Sequence, residues 1–499
     1  MFNQLYVQLN PELRLNQKFA LAAIAAALVG GVAGDVLFHG AGGLGLNVAL
    51  WAVVLAASLF VVALVAGAEV PAGRWGALAL ATALACVLAL RASPWLQGLN
   101  IGGAVALLGL ASALPPGYGV RRLGFVVFVA ALAIAVFAVG VGALRFLPSQ
   151  SMMRGLGERF GPRVEVAGRV LAIATPLLLL FGGLFVAADA AFESILTGAL
   201  SLDPGAALDH AIVAFGFGWL ALGALWANLA MERFEVTVPE LEDGKRLKPV
   251  EVGAVLGLLA LLFAAFVLVQ VRYLFGGDDL VERTTGLTYA EYARRGFFEL
   301  VAVAALLLPV LLVMDWARQR SGAAQRVYRF ASAVLVILLG VVMASAVERL
   351  RMYQSAFGLT ELRLYSLAFL GLLAAIFMLF MVTTARGSRD WFYSGTLALC
   401  VAAVLGLSAW KPEATIARVN IERAAEGRAF DSRYLVSLSA DAVPEIVANF
   451  DSIPDNERCV VGRELVRRWG EPADEWRSWN LSQERALEAV LAARARLLC

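Results

Sequence analysis

The chain has 499 residues, 60% hydrophobic and 16% charged, with a formal net charge of +2 and a mean hydropathy of +0.76. Soluble domains run at roughly 45–50% apolar and about 25% charged, so this composition excludes a soluble enzyme, a disordered polypeptide and a disulfide-framed secreted domain. The net charge is too small to argue for nucleic acid, and two histidines and four cysteines leave little for metal or histidine chemistry.

Residues 1–19 carry Asn3, Gln4, Gln8, Asn10, Glu12 and Arg14. That is too polar for a cleaved signal peptide, so the first apolar helix is expected to stay and act as signal anchor. A spanning helix needs about 20 mostly apolar residues. Twelve candidate spans follow from that length, near 18–38, 45–67, 75–90, 95–113, 122–147, 168–188, 210–231, 251–274, 297–315, 327–348, 362–384 and 391–410. The third is short and the fourth carries Gln97 and Asn100, which leaves eleven or thirteen open, as well as a re-entrant hairpin over 75–113. The expected fold is therefore all-α, a polytopic bundle of about 12 spans. Residues 1–410 form its membrane domain and residues 411–499 a small soluble α-helical domain, because the last 89 residues hold 13 Lys/Arg and 15 Asp/Glu.

Alternate loops lie on opposite sides of a membrane. The loops after the fifth, seventh, ninth and eleventh spans carry 15 Lys/Arg, among them Arg154, Arg163, Arg233, Lys245, Arg318, Arg329 and Arg386; those after the sixth, eighth and tenth carry 7. The positive-inside rule makes the first set cytoplasmic. With twelve spans both termini would then lie outside, against the preference of Arg14 and Lys18 for the inside. The basic stretch 150–165 can be read either as a lipid-binding segment or as an ordinary retained loop.

Whatever the orientation, the loops after spans six, eight and ten share a face with the C-terminal domain. That face carries Asp189, then Tyr289, Tyr292, Arg294 and Arg295 before Glu299, then Glu348 and Arg351, and finally Arg363 and Tyr365. Thr288 and Glu291 make a capping box for the helix leading to Glu299. A carboxylate that enters an apolar run is costly unless paired, and Arg295, Arg351 or Arg363 are candidate partners. Together these ten residues define a candidate polar vestibule for an ion, an anionic headgroup or a peptide. Interfacial aromatic belts and snorkelling arginines are the plainer reading of the same residues.

Tyr289-Ala-Glu-Tyr-Ala-Arg-Arg-Gly-Phe-Phe-Glu299, Phe357-Gly-Leu-Thr-Glu-Leu-Arg-Leu-Tyr365, Ile416-Ala-Arg-Val-Asn-Ile-Glu-Arg423 and Tyr434-Leu-Val-Ser-Leu-Ser-Ala-Asp-Ala-Val-Pro444 are similar to signatures of uncharacterised bacterial membrane proteins. These are the families of domains of unknown function 4173 and 4153. The resemblance runs from about Asp189 onward, with an echo in Arg91-Ala-Ser-Pro-Trp-Leu-Gln-Gly-Leu-Asn100. It implies a polytopic membrane protein of the bacterial inner membrane and brings no substrate or catalytic residue with it.

Five helical pieces are expected after Trp410. One starts at Pro412 and stops at Gly427; Asp431 and Ser439 cap two short ones; Asp455 opens a fourth. Ser482 opens a fifth, with Ala486, Leu487, Val490, Leu491 and Leu497 on its apolar side. Cys459 and Cys499 could close a 41-residue loop, stabilising by roughly 3–4 kcal/mol in an oxidising compartment, or remain free thiols.

No phosphate loop, HExxH or GxSxG motif occurs, and His39 and His210 stand alone in sequence. No catalytic residue, metal ligand or cofactor is expected, and the chain reads as a non-enzyme. The partners expected are membrane lipid and a protein met through residues 411–499, with no nucleic acid. The leading function expected is a transporter or translocation component without ATPase; the alternative is a non-transporting envelope sensor or scaffold, and a membrane-embedded enzyme acting on lipid comes third, weakened by the missing nucleophile and metal motifs. In the first, Pro176 and Pro309 mark candidate helix breaks; in the first two, the C-terminal domain is expected outside the cell.

Overall fold

A computed structural model describes residues 17–68, 70–113, 139–140, 142, 204–230, 246–275, 297–387, 390–472 and 475–498. Among them every regular element is helical, apart from one isolated bridge between Leu247 and Arg318. Nine of the described helices are long and apolar enough to cross a membrane, and a tenth is shorter. Ten of the twelve expected spans thus coincide with helices; those near 122–147 and 168–188, and Pro176, lie outside the described residues. The contacts divide the chain into two compact units. One holds the described residues up to Ala230 with 472 and 475–484; the other holds Arg246 to Glu471 and 485–498.

The first unit contains α1 (Gln17–Phe38), α2 (Leu46–Ala66), α3 (Ala72–Val87), α4 (Pro94–Ala113) and α5 (Pro204–Leu225), which ends in a π-helical turn, Trp226–Ala230. Its core is made of Leu55, Leu59, Val62, Leu78, Ala221 and Leu225. α1 and α5 pack antiparallel with their backbones nearly touching. A Cβ on Gly31 would sit 2.5 Å from the Ala214 carbonyl oxygen, one on Gly30 2.9 Å from Ala221, and one on Gly218 3.1 Å from the Ala27 carbonyl. Small residues at such crossings let membrane helices approach closely.

A segment from near the C-terminus ties together the helix ends on one face of this unit. Arg477 donates to the carbonyls of Val36 (2.9 Å) and His39 (2.8 Å), at the end of α1. Leu46 N–H donates to Trp479 O at 2.9 Å, where α2 begins. Asn480 Nδ2 donates to Leu88 O and Arg91 O, and Ser482 Oγ to Leu90 O, where α3 ends. On the opposite face, Arg74 at the start of α3 donates to Asn228 O at 2.8 Å, at the end of α5. The last long helix begins at Leu481, one residue before the expected Ser482, because Asn480 Oδ1 accepts from Ser482 N–H (2.9 Å) and is the cap.

The second unit holds α6 (Pro249–Phe275), α7 (Phe297–Ala317), α8 (Gly322–Phe357), α9 (Glu361–Arg386) and α10 (Asp390–Trp410). α7 continues through Pro309 without interruption. Leu256, Ala304, Leu311, Leu335, Leu339, Leu370 and Phe377 form the core, and Tyr328 is buried with its hydroxyl donating to Leu311 O at 2.9 Å. Side chains such as Leu258, Leu261, Leu262 and Leu268 on α6 are exposed and meet lipid. α8 is the exception in length. Its 36 residues run about 54 Å at 1.5 Å per residue, well beyond a hydrocarbon core of about 30 Å. Its polar last turns, Glu348 to Phe357, therefore project past the apolar part.

The C-terminal helices of this unit are α11 (Pro412–Ala425), α12 (Ser432–Ser437), α13 (Val443–Ala448) and α14 (Asp455–Trp469), followed by α15 (Leu481–Ala492) and the turn α16 (Arg494–Leu497). Pro412 occupies the first turn of α11 as expected, and Asp431 Oδ1 caps α12 by accepting from Tyr434 N–H at 2.9 Å. α14 and α16 meet backbone to backbone, since a Cβ on Gly462 would collide with the Leu497 carbonyl. Ala486, Val490 and Leu497 are fully buried, while Leu491 is exposed. Cys459 is disulfide-bonded and Cys86 and Cys400 are free thiols; Cys499 lies outside the described residues.

Candidate functional site: the junction of α8, α9 and α11

α8 ends in a tight turn to α9, Gly358-Leu359-Thr360, and α11 lies against it. Asn420 reads both backbone groups of Leu359: its Oδ1 accepts from Leu359 N–H and its Nδ2 donates to Leu359 O, each at 2.8 Å. Gly358 adopts φ +78°, where a Cβ would also stand 2.6 Å from Asn420 Oδ1. Only glycine serves there, for conformation and for space.

Three guanidiniums converge on the C-terminal carbonyls of α8. Arg423 donates to Ser355 O at 2.6 Å and Ala356 O at 3.3 Å, Arg428 to Ser355 O at 3.3 Å, and Arg363 to Gly358 O. Cations at a helix C-terminus complement its dipole. Burial, followed by the charge of Arg428, pulls the Arg423 pKa below its ordinary value. Arg363 also lies over the Tyr353 ring at 4.1 Å, a cation–π arrangement.

The N-terminus of α9 has no side-chain cap of its own at Thr360. Tyr434 of α12 supplies an acceptor, its hydroxyl receiving the Glu361 N–H at 2.8 Å. Burial pushes the Tyr434 phenol up to about 12, so it remains neutral around neutral pH. Beneath it, Glu413 is fully buried. Its Oε2 accepts from Ser439 N–H at 2.7 Å and from the Ser439 hydroxyl. Its Oε1 has no hydrogen-bond partner among the described residues.

The expected vestibule residues are distributed otherwise. Asp189, Tyr289, Tyr292, Arg294 and Arg295 lie outside the described residues. Glu299 is exposed in the first turn of α7. Glu348 and Arg351 face each other across 3.8 Å on the surface of α8, a geometry worth little in water. Arg363 belongs to the junction, and Tyr365 is buried. Of the ten, then, Glu348 and Arg351 are brought together and Arg363 joins a different set.

Glu413, Asn420, Arg423, Tyr434 and Ser439 carried no expected role. Their signal was nonetheless present. Positions 413, 416, 417, 420, 421 and 424 form one helical stripe, buried at Glu413, Ile416, Ala417, Ile421 and Ala424. Glu413 and Asn420 interrupt that apolar stripe with polar side chains.

His39 and His210, which stand alone in sequence, are neighbours in the first unit: their rings stack with centroids 3.7 Å apart.

Helices of this length and hydropathy, with a helical layer closing the turn between two of them, define a multi-pass all-α membrane protein. The chain belongs to the family described as "Domain of unknown function (DUF4153)", whose model matches residues 78–449. The match begins well before Asp189, so it takes in α3, α4 and the Arg91–Asn100 echo as well as the junction. No curated protein and no solved structure matches the chain.

Proposed function

We propose that this protein is an envelope sensor or assembly scaffold whose C-terminal helices are coupled to the ends of its membrane helices and receive a protein partner. The observation that carries this reading is the two-point grip of Asn420 on the α8–α9 turn. A helical layer held through backbone groups transmits displacement rather than opening a path. The fully buried carboxyl of Glu413, on the helix packed against α9, favours transport as a second reading, since ionisable groups at such places mark proton pathways.

Complementation of a strain lacking the protein separates the two. The scaffold reading expects deletion of 411–499 and Asn420→Ala to abolish function while Glu299→Gln and Glu413→Gln complement. Complementation by Asn420→Ala with failure of Glu413→Gln would overturn it in favour of transport.

The same reading places the C-terminal helices outside the inner membrane. In the first unit α4 begins on the face where α1 ends, Gln97 Nε2 lying within 3.4 Å of Leu44 O and 3.2 Å of Arg91 O, and so ends on the other face. α5 begins beside the end of α1. The distribution of loop charge supports the placement outside, since the loops after the seventh, ninth and eleventh expected spans carry the larger share of Lys/Arg and stay on the cytoplasmic side. The disulfide at Cys459 fits the opposite, oxidising side, with Cys499 as its partner.

In intact cells, with Cys86 and Cys400 replaced by alanine, an impermeant maleimide is expected to label the chain only after reduction. Labelling that needs lysis but no reductant would reverse the orientation.

A further inference from the structure

We propose that Asp35, His39 and His210 form a binding site for one divalent transition metal ion of the zinc class, at the face where α1 ends and α5 begins. The chain has two histidines, and both are here. Asp35 and His39 are four residues apart, which puts them on one side of the end of α1. His210 comes from α5, brought in by the close glycine-lined contact of those helices. Its Nδ1 lies 2.9 Å from both carboxylate oxygens of Asp35, and Nδ1 of His39 lies 3.9 Å from Asp35 Oδ1. One ligand atom from each of the three residues can be taken with all separations within 4.8 Å. Around a tetrahedral ion with bonds of about 2.0–2.1 Å, neighbouring ligand atoms stand about 3.3 Å apart. Closing the set means drawing ligand atoms that now lie within 4.8 Å of one another to that spacing.

A hydrogen bond between His210 and Asp35 accounts for two of the three residues and leaves His39 unexplained. The two rings stack at 3.7 Å, which brings His39 to the same place as the His210–Asp35 pair. The donor set also selects the ion. Calcium and magnesium take oxygen ligands, whereas imidazole suits zinc and its first-row neighbours. Three protein ligands leave one position of a tetrahedron open, and the half-exposed His210 side chain gives an ion access. Arg477, the nearby cation, donates to the carbonyls of Val36 and His39 and is paired with Glu475, so its charge is compensated. Asp209 adds a further exposed carboxylate beside His210.

Because the whole chain has two histidines, the test needs no variant to begin with. Full-length protein labelled at histidine, purified in detergent and stripped with chelator, gives two imidazole spin systems by NMR. One equivalent of zinc is expected to shift both, and cobalt in its place to give the intense visible bands of a tetrahedral site. Asp35→Asn is expected to weaken zinc binding by about tenfold or more, and His39→Ala with His210→Ala to abolish it, with the thermal transition in chelator retained. A shift of one histidine only, undiminished zinc binding in the double variant, or equal competition by magnesium would overturn the proposal.

Discussion

Gly358→Ala is expected to release the C-terminal helices from the turn between α8 and α9. A side chain at φ +78°, ψ −178° enters a region kept almost entirely by glycine and costs about 1–3 kcal/mol. The new Cβ would also displace Asn420, whose two hydrogen bonds to Leu359 are worth about 1 kcal/mol each. The sum is about 3 kcal/mol or more, which read by protease cleavage between 411 and 471 is a rise in rate of roughly a hundredfold or more if opening is in equilibrium. Gly427 provides the control, because it has nearly the same φ, +79°, with nothing within 4 Å of a built Cβ. Gly427→Ala is expected to lose only the conformational part. Equal losses at the two glycines would show that Asn420 contributes nothing to the grip.

Cys459→Ser is expected to lower the stability of the C-terminal helices by roughly 3–4 kcal/mol, the entropic worth of a loop of about 41 residues. The close approach of α14 and α16 at Gly462 brings Leu497 against the helix that carries Cys459. The loss should appear as a lower melting temperature of the oxidised protein, and reduction of the unsubstituted protein should reproduce it. A melting temperature unmoved by either change would mean that the bridge closes nothing that is not already held by packing.

The spans were legible because twenty apolar residues in a row have few other readings. The helices after Trp410 were legible from Pro412, Asp431 and Asp455. The exact count of crossings was not, because loop charges alone cannot distinguish twelve spans with a misplaced Arg14 from an odd number with none. Nor was the neighbourhood of His210 and Asp35, 175 residues apart, because that proximity depends on Gly30, Gly31 and Gly218. Glycines in an apolar run are visible, but which helix they admit is not. The junction was hidden for another reason. Asn420, Arg423 and Tyr434 bind backbone groups of residues more than sixty positions away, and a carbonyl leaves no mark in a sequence. Searching the two faces for opposite charges found Glu348 and Arg351, a surface pair, and passed over polar side chains spaced on an apolar stripe of α11.

The segment around Arg477, Trp479 and Asn480 has a consequence for biosynthesis. It completes the turns after α1 and α3, yet Asn480 is made 392 residues after the Leu88 whose carbonyl it binds. At about 5–20 residues per second, the first four helices wait on the order of tens of seconds, already inserted, with Leu88 O and Leu90 O still lacking the donors of Asn480 and Ser482. During that interval those turns are open to membrane chaperones and to quality-control proteases. A ribosome that stalls anywhere upstream of residue 475 leaves behind a protein that is threaded through the bilayer but unfinished at its beginning.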